Sequence, residues 1–124
     1  MNLIRTTIGK FLLSGNYNKG GIYVIACYPS LGCIYIGKSV HVKTRINQHL
    51  RRSNSKIGQF LRNNMADSIK FGLDIIQGED KEWQYVYEKK LIEYFRPIFN
   101  EQLLGECSIC NLAYFENHDK SYHN

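Results

Sequence analysis

The stretch GGIYVIACYPSLGCIYIGKS, residues 20–39, constrains the fold more than any other part of the chain. Two short runs rich in β-branched and aromatic residues, 22–28 and 33–38, are bounded by Gly and Pro, the signature of a β-hairpin. Side chains alternate across a strand, so the pairing register decides whether Tyr23 and Tyr35 share a face. A five-residue connection from Tyr28 to Gly32 pairs Cys27 with Cys33, Ile25 with Tyr35 and Tyr23 with Gly37, which puts both tyrosines on one face. A four-residue connection would separate them. The glycines at the mirrored ends, Gly21 and Gly37, permit close approach by another chain or by a phosphate.

Downstream, Ser39 is the expected N-cap of a helix over about 40–52, and a second short helix is expected over 57–64. In residues 68–77 (SIKFGLDIIQ), Ile69, Phe71, Leu73 and Ile75 alternate, the pattern of a half-buried third strand. A long helix opens at Asp80 or Lys81 and stops before Pro97, because the residue preceding a proline avoids the helical region. The order β-β-α-α-β-α predicts an α+β domain over residues 21–105, with a small three-stranded antiparallel sheet flanked by helices. Residues 1–20 end in a Gly- and Asn-rich loop signal and read as an N-terminal extension. Residues 106–124 are polar, contain two Cys and two His, and show no periodicity.

A chain of 124 residues is long enough for one domain with a core and too short for two. Its net charge of +5 points mildly toward a polyanionic partner. No run of 18 apolar residues exists, which excludes a transmembrane helix, and Lys10 interrupts the apolar patch near the N-terminus, which argues against a signal peptide. Four cysteines, two of them in expected strands, do not make a secreted disulfide framework, so a reducing, intracellular compartment is expected.

Several side chains stand out for chemistry. Arg45 and His49 are spaced i, i+4 along one border of the stripe formed by Val42, Ile46 and Leu50. Lys38 adds a cation near the second triplet. At about 100° per residue, Trp83, Tyr87, Leu91, Ile92, Tyr94 and Phe95 define one broad apolar face of the long helix, and Glu88 falls inside it. A carboxylate there needs a partner, either a cation such as Arg45 in a structural ion pair or a divalent metal. The aromatics of that helix read as core rather than as base-stacking platforms. Arg51, Arg52 and Lys56, followed by Arg62, form a basic stretch suited either to tracking a nucleic-acid backbone or to a solvated loop. Cys107 and Cys110, followed by His118 and His123, are the residue types of a zinc site. However, the spacer between Cys110 and His118 is shorter than the roughly 12 residues of a two-Cys, two-His finger, and loose tail residues are the alternative.

The ordered set resembles the GIY-YIG endonuclease family, the catalytic domain also found in homing endonucleases. It comprises Gly21-Ile22-Tyr23, Tyr35-Ile36-Gly37, Lys38, Arg45, His49, Glu88 and Asn100, across residues 21 to about 100. The resemblance implies a catalytic tyrosine at Tyr23 that takes a proton from the attacking water, and a second at Tyr35 that hydrogen-bonds that water or a phosphate. Arg45 would stabilise transition-state charge, and His49, where some relatives carry a tyrosine, would be an auxiliary proton carrier or phosphate ligand. Glu88 would hold one Mg²⁺ or Mn²⁺, and Asn100 would orient groups behind the site. Because tyrosine ordinarily titrates near 10, Lys38, Arg45 and the metal are expected to favour the phenolate. Gly37, Lys38, Arg51, Arg52, Lys56 and Arg62 would contact the substrate, double-stranded DNA. A homing or mobile-element role is the expectation, on small size, the absence of a repair or RING domain, and a composition suited to A/T-rich coding: Ile, Lys, Asn and Tyr make up 44 of 124 residues. The alternatives are a restriction or repair nuclease with the same site, or a catalytically silent nucleic-acid-binding module.

Overall fold

The computed structural model describes residues 2–15, 18–27 and 32–100. Its elements run β1 Leu3–Thr7, α1 Ile8–Leu13, β2 Gly21–Cys27, β3 Gly32–Ser39, α2 Val42–Arg51, α3 Lys56–Asn63, α4 Met65–Ser68, β4 Gly72–Gln77 and α5 Lys81–Phe95. The sheet is antiparallel with four strands, in the order β1-β4-β2-β3, where the sequence predicted three. The added strand comes from the stretch read as an extension. LIRTT is a short edge strand whose Leu3 is half exposed, so its alternation is weak, and only pairing with β4 from Leu3↔Ile76 to Thr7↔Gly72 reveals it. Thr7 then caps α1 by accepting a hydrogen bond from the Lys10 backbone N–H at 3.2 Å.

The hairpin carries a correction at its far end. Tyr23↔Gly37 and Ile25↔Tyr35 pair as the sequence suggests, but Ala26 pairs with Cys33 and Cys27 with Gly32. Ile34 is therefore the extra residue of a β-bulge, which restores the facing of the two tyrosines that a shorter connection would otherwise reverse.

Both faces of the sheet are covered, which is why β2 reads as an unbroken apolar run rather than an alternating one. On one face Tyr23, Ile25, Leu73 and Ile75 pack with Ile8 and Phe11 of α1, Val42, Ile46 and Leu50 of α2, and Ile57, Phe60 and Leu61 of α3. On the other, Ile22 and Ile36 meet Ile92 of α5, with Trp83, Tyr87 and Leu91 at the margins. Each fully buried Ile or Leu contributes roughly 1.5–3 kcal/mol relative to exposure.

Two helix readings change. Ser39 is the last residue of β3 and accepts from the His41 N–H, while His41 occupies the N-cap without a side-chain bond. The orphan N–H groups of α2 are satisfied instead by the preceding loop: Val42 N–H donates to the Lys19 carbonyl and Thr44 N–H to Asn18 Oδ1. On α5 the expected broad apolar face narrows to a stripe, Trp83-Tyr87-Leu91 beside Gln84-Glu88-Ile92. Tyr94 is 80% exposed and Phe95 49%. Arg96, in the left-handed conformation (φ 47°), and Pro97 end it. Among the described residues no helix is long and apolar enough to cross a membrane.

Candidate active site

β2 and β3 carry Tyr23 and Tyr35 on the face that α2 covers, and α2 delivers Arg45 and His49 to them. Tyr23 Oη lies 2.9 Å from His49 Nε2, the two tyrosine rings are 6.0 Å apart, and Tyr35 meets the imidazole edge-on at 5.4 Å. Tyr23 is 1% exposed and His49 fully buried, whereas Tyr35 is only partly covered. Tyr35 is thus the phenol open to the cleft, and it influences the ionisation of Tyr23 beside it.

The electrostatics correct the expected phenolate. Burial raises the pKa of Tyr23 well above 10, and that of Tyr35 too, outweighing the opposing charge and hydrogen bonding of Arg45. Lys38 does not bear on Tyr23, because alternation turns it to the opposite face of β3. His49 is pushed down to about 4, first by burial and then by the positive charges of Arg45 and Arg62. The imidazole is therefore neutral at pH 7. With its ring proton on Nδ1, which faces Ser55 Oγ at 3.5 Å, Nε2 is left to accept from Tyr23.

This burial predicts a pH dependence of stability. Unfolded, His49 titrates near 6.5, and folded near 4, so the unfolded chain binds more protons between those values. Stability therefore falls as the pH drops from about 6.5 toward 4, by about 2–4 kcal/mol from this group. Unfolding free energies of the wild type from urea titration should fall over that window by this much more than those of a His49→Gln variant; parallel curves would mean the imidazole is solvated.

The glycines serve a different purpose from the one expected. Gly37 is buried, and a Cβ there would collide with Cζ and Oη of Tyr23. Gly37 is thus a seat for the Tyr23 phenol. A Cβ on Gly21 would lie 2.6 Å from the Ile76 carbonyl oxygen of β4, so that glycine admits a neighbouring strand of the same sheet. Gly37→Ala should cost about 1–3 kcal/mol through overpacking, measured by urea unfolding; an unchanged midpoint would show that Tyr23 has room to move.

Across the β3 edge lies a cleft of about 130 Å³ whose lining includes Tyr35, Lys38, Tyr85, Glu88 and Asn100. Glu88 sits in the buried stripe of α5 as its helical position required. Its partner is Lys38, Nζ to Oε1 3.9 Å, and not Arg45, whose guanidinium donates to Gln48 Oε1 at 3.1 Å. Burial raises the Glu88 pKa, and the distant ammonium only partly offsets this. A half-buried carboxylate so weakly compensated suits a cation. Among the described residues no three His, Cys, Asp or Glu side chains cluster, so the donor set is a single carboxylate beside a phenol. That fits Mg²⁺, which keeps most of its waters, better than a metal needing an all-protein cage.

Asn100 acts on the backbone. Its Oδ1 accepts from the Ile36 N–H at 2.8 Å and its Nδ2 donates to the Ile36 carbonyl at 2.6 Å. It thereby replaces a neighbouring strand on the open edge of β3, between Tyr35 and Gly37. Arg62 is held within the fold: its Nη1 donates to the His49 carbonyl and its Nη2 to the Ser53 carbonyl, tying the end of α2 to α3. Arg51 and Arg52 remain exposed. Sequence reading missed Ser55, Gln48 and Asn18; only Ser55 carried a usable signal, as the N-cap of α3, accepting from the Gly58 N–H. Cys107, Cys110, His118 and His123 lie outside the described residues.

A family model described as the GIY-YIG catalytic domain matches residues 19–102. Among solved structures, the GIY-YIG N-terminal endonuclease domain of UvrC from Thermotoga maritima, bound to its catalytic divalent cation, magnesium, superposes with a TM-score of 0.57 at 22% identity, covering 75% of this chain and 94% of that one. A point mutant of the same domain bound to its catalytic divalent cation gives 0.55 at 22% identity, covering 73% and 90%. At that identity the likeness establishes the fold. No curated protein matches the chain.

Proposed function

The chain belongs to the GIY-YIG catalytic domain family, and we propose that it is an endonuclease that hydrolyses phosphodiester bonds of double-stranded DNA with one divalent cation. The observation that carries this reading is the cluster of Tyr35, Tyr23 and His49 beside Arg45, with Glu88 on the far side of the β3 edge.

Glu88 would hold Mg²⁺ or Mn²⁺, which as a Lewis acid offsets the negative charge of the leaving 3′ oxygen. The remaining steps belong to the protein. Water attacks phosphorus, the new O–P bond forming as the P–O3′ bond breaks, and the leaving oxygen takes a proton from solvent. Tyr35, the exposed phenol, orients the water and receives its proton as its own passes to Tyr23 and that of Tyr23 to His49 Nε2. A relay suits two phenols whose pKa values are raised, because neither has to exist as a free phenolate. The phosphodiester's own charge offsets Arg45 and Arg62 and so increases the basicity of His49 when substrate binds. Arg45 stabilises the charge that develops on the equatorial oxygens. Lys38, at the mouth of the cleft, is placed to exchange Glu88 for a phosphate. Asn100 keeps β3 straight so that Tyr35 stays in register.

A homing or mobile-element setting is our reading of the biological role, resting on the A/T-like residue bias. The test is cleavage of supercoiled plasmid with Mg²⁺ or Mn²⁺ against the same reaction in EDTA. Metal-dependent nicking or linearisation is expected, and ends mapped to one or a few sites support the homing role. Retention of DNA without cleavage on duplex, branched and single-stranded substrates alike would instead identify a binding module.

A further inference from the structure

All eleven Asp and Glu residues lie at or after Asp67, whereas the 66 residues before it contain ten Lys and Arg. The fold turns this asymmetry along the chain into one in space. Helices α2 and α3 both come from the basic part and pack together over the sheet face that holds the tyrosines. On α2, Thr44, Asn47, Gln48, Arg51 and Arg52 line a groove of about 320 Å³. Arg51 and Arg52 are exposed, and among the described residues their guanidinium groups have no hydrogen-bond or ion-pair partner.

Gln48, which lines the groove, also accepts from Arg45 Nη1 at 3.1 Å, so the groove lies beside the arginine of the tyrosine site. From Arg45 to Arg52 the helix advances about 10 Å, so its two ends can reach different phosphates of one strand. Thr44 accepts from Asn18 Nδ2 and so keeps its own O–H to donate, and Gln48 and Asn47 present amides. Two unpartnered guanidinium groups among neutral donors, with no carboxylate nearby in sequence, match a phosphate backbone rather than a carboxylate-bearing peptide or a cation.

The geometry points to the α2 groove as a second anchoring site, which takes consecutive backbone phosphates of duplex DNA on one side of the bond to be cut. The inference rests on the DNA substrate proposed above. It adds that this domain holds DNA by itself and fixes the direction in which the strand leaves the cleft. Contacts of this kind carry no sequence preference; they set position and orientation.

The test uses the full chain in EDTA, so that binding is read without cleavage, with a fluorescent 20-base-pair duplex and anisotropy at several salt concentrations. Arg51→Gln/Arg52→Gln should weaken binding about tenfold or more and lower the slope of log affinity against log salt by nearly two, as expected for two lost phosphate contacts. Lys10→Gln/Lys70→Gln removes the same charge from exposed positions outside the groove, and should change affinity less than about twofold by the same salt-dependent reasoning. Circular dichroism of both variants checks folding. Equal losses in the two double variants would mean that net charge alone attracts DNA, and would overturn the site. No loss in either, or no duplex binding by the wild type, would also overturn it. Because no cleavage is measured, failure of the nuclease chemistry would leave this result intact, and the converse holds.

Discussion

Tyr23→Phe is expected to lower plasmid cleavage by about 10²–10⁴-fold, the range attributed to a positioned proton-transfer group. The substitution keeps the ring that Gly37 seats and removes only the oxygen that touches His49 Nε2 at 2.9 Å. It leaves a buried imidazole nitrogen without its partner, which costs about 1–3 kcal/mol of stability. The folded fraction therefore has to be established by thermal or urea unfolding before rates are compared. If Tyr23 worked alone as a surface base, its 1% exposure would be hard to reconcile with contact to a water molecule. The relay through Tyr35 resolves this, because the exposed phenol meets the water and the buried pair removes the proton. Cleavage by the variant within tenfold of wild type would show that Tyr35 acts without its inner partners.

Glu88→Gln should abolish metal-dependent cleavage, with a loss of about 10³-fold or more, since the charge stabilisation supplied by a bound cation is worth several kcal/mol. Stability should move the other way or not at all. Burial raises the Glu88 pKa above its ordinary value, so at neutral pH the folded state holds this charge at a disadvantage that a neutral isostere relieves. Equal or higher urea midpoints together with lost cleavage would identify Glu88 as a residue kept for function against stability. Direct titration of Mn²⁺ against both proteins gives a second readout, with binding expected only in the wild type. Cleavage that survives Glu88→Gln would place the cation elsewhere.

Much of the site was legible in the chain because it is written in short-range geometry. Strand alternation and turn length limited the tyrosines to two arrangements, helical spacing brought Arg45 and His49 to one border, and the 100° step put Glu88 inside the buried stripe of α5. What failed was whatever depended on a partner distant in sequence. β1 is too short and too exposed at Leu3 to announce itself, and it exists because β4 offers an edge. Tyr94 and Phe95 continue the apolar pattern of α5, yet among the described residues no neighbouring element covers them and they stay exposed. Arg62 looks like a surface cation in the sequence, but in space it meets two carbonyls at the end of α2.

The sequence by itself determined the hairpin, the longer helices and the residues available for chemistry, and narrowed the facing of the two tyrosines to two arrangements, since these follow from periodicity and local steric rules. Only the tertiary structure decided their states. Enclosing Tyr23 and His49 between α2 and the sheet made the phenol harder to ionise, reversing the direction expected from the nearby arginine, and reinforced the effect of charge in keeping the imidazole neutral. It also gave Glu88 to Lys38 and Gly37 to Tyr23. Desolvation and close contact depend on which surfaces meet, and that is fixed by packing between residues far apart in the chain.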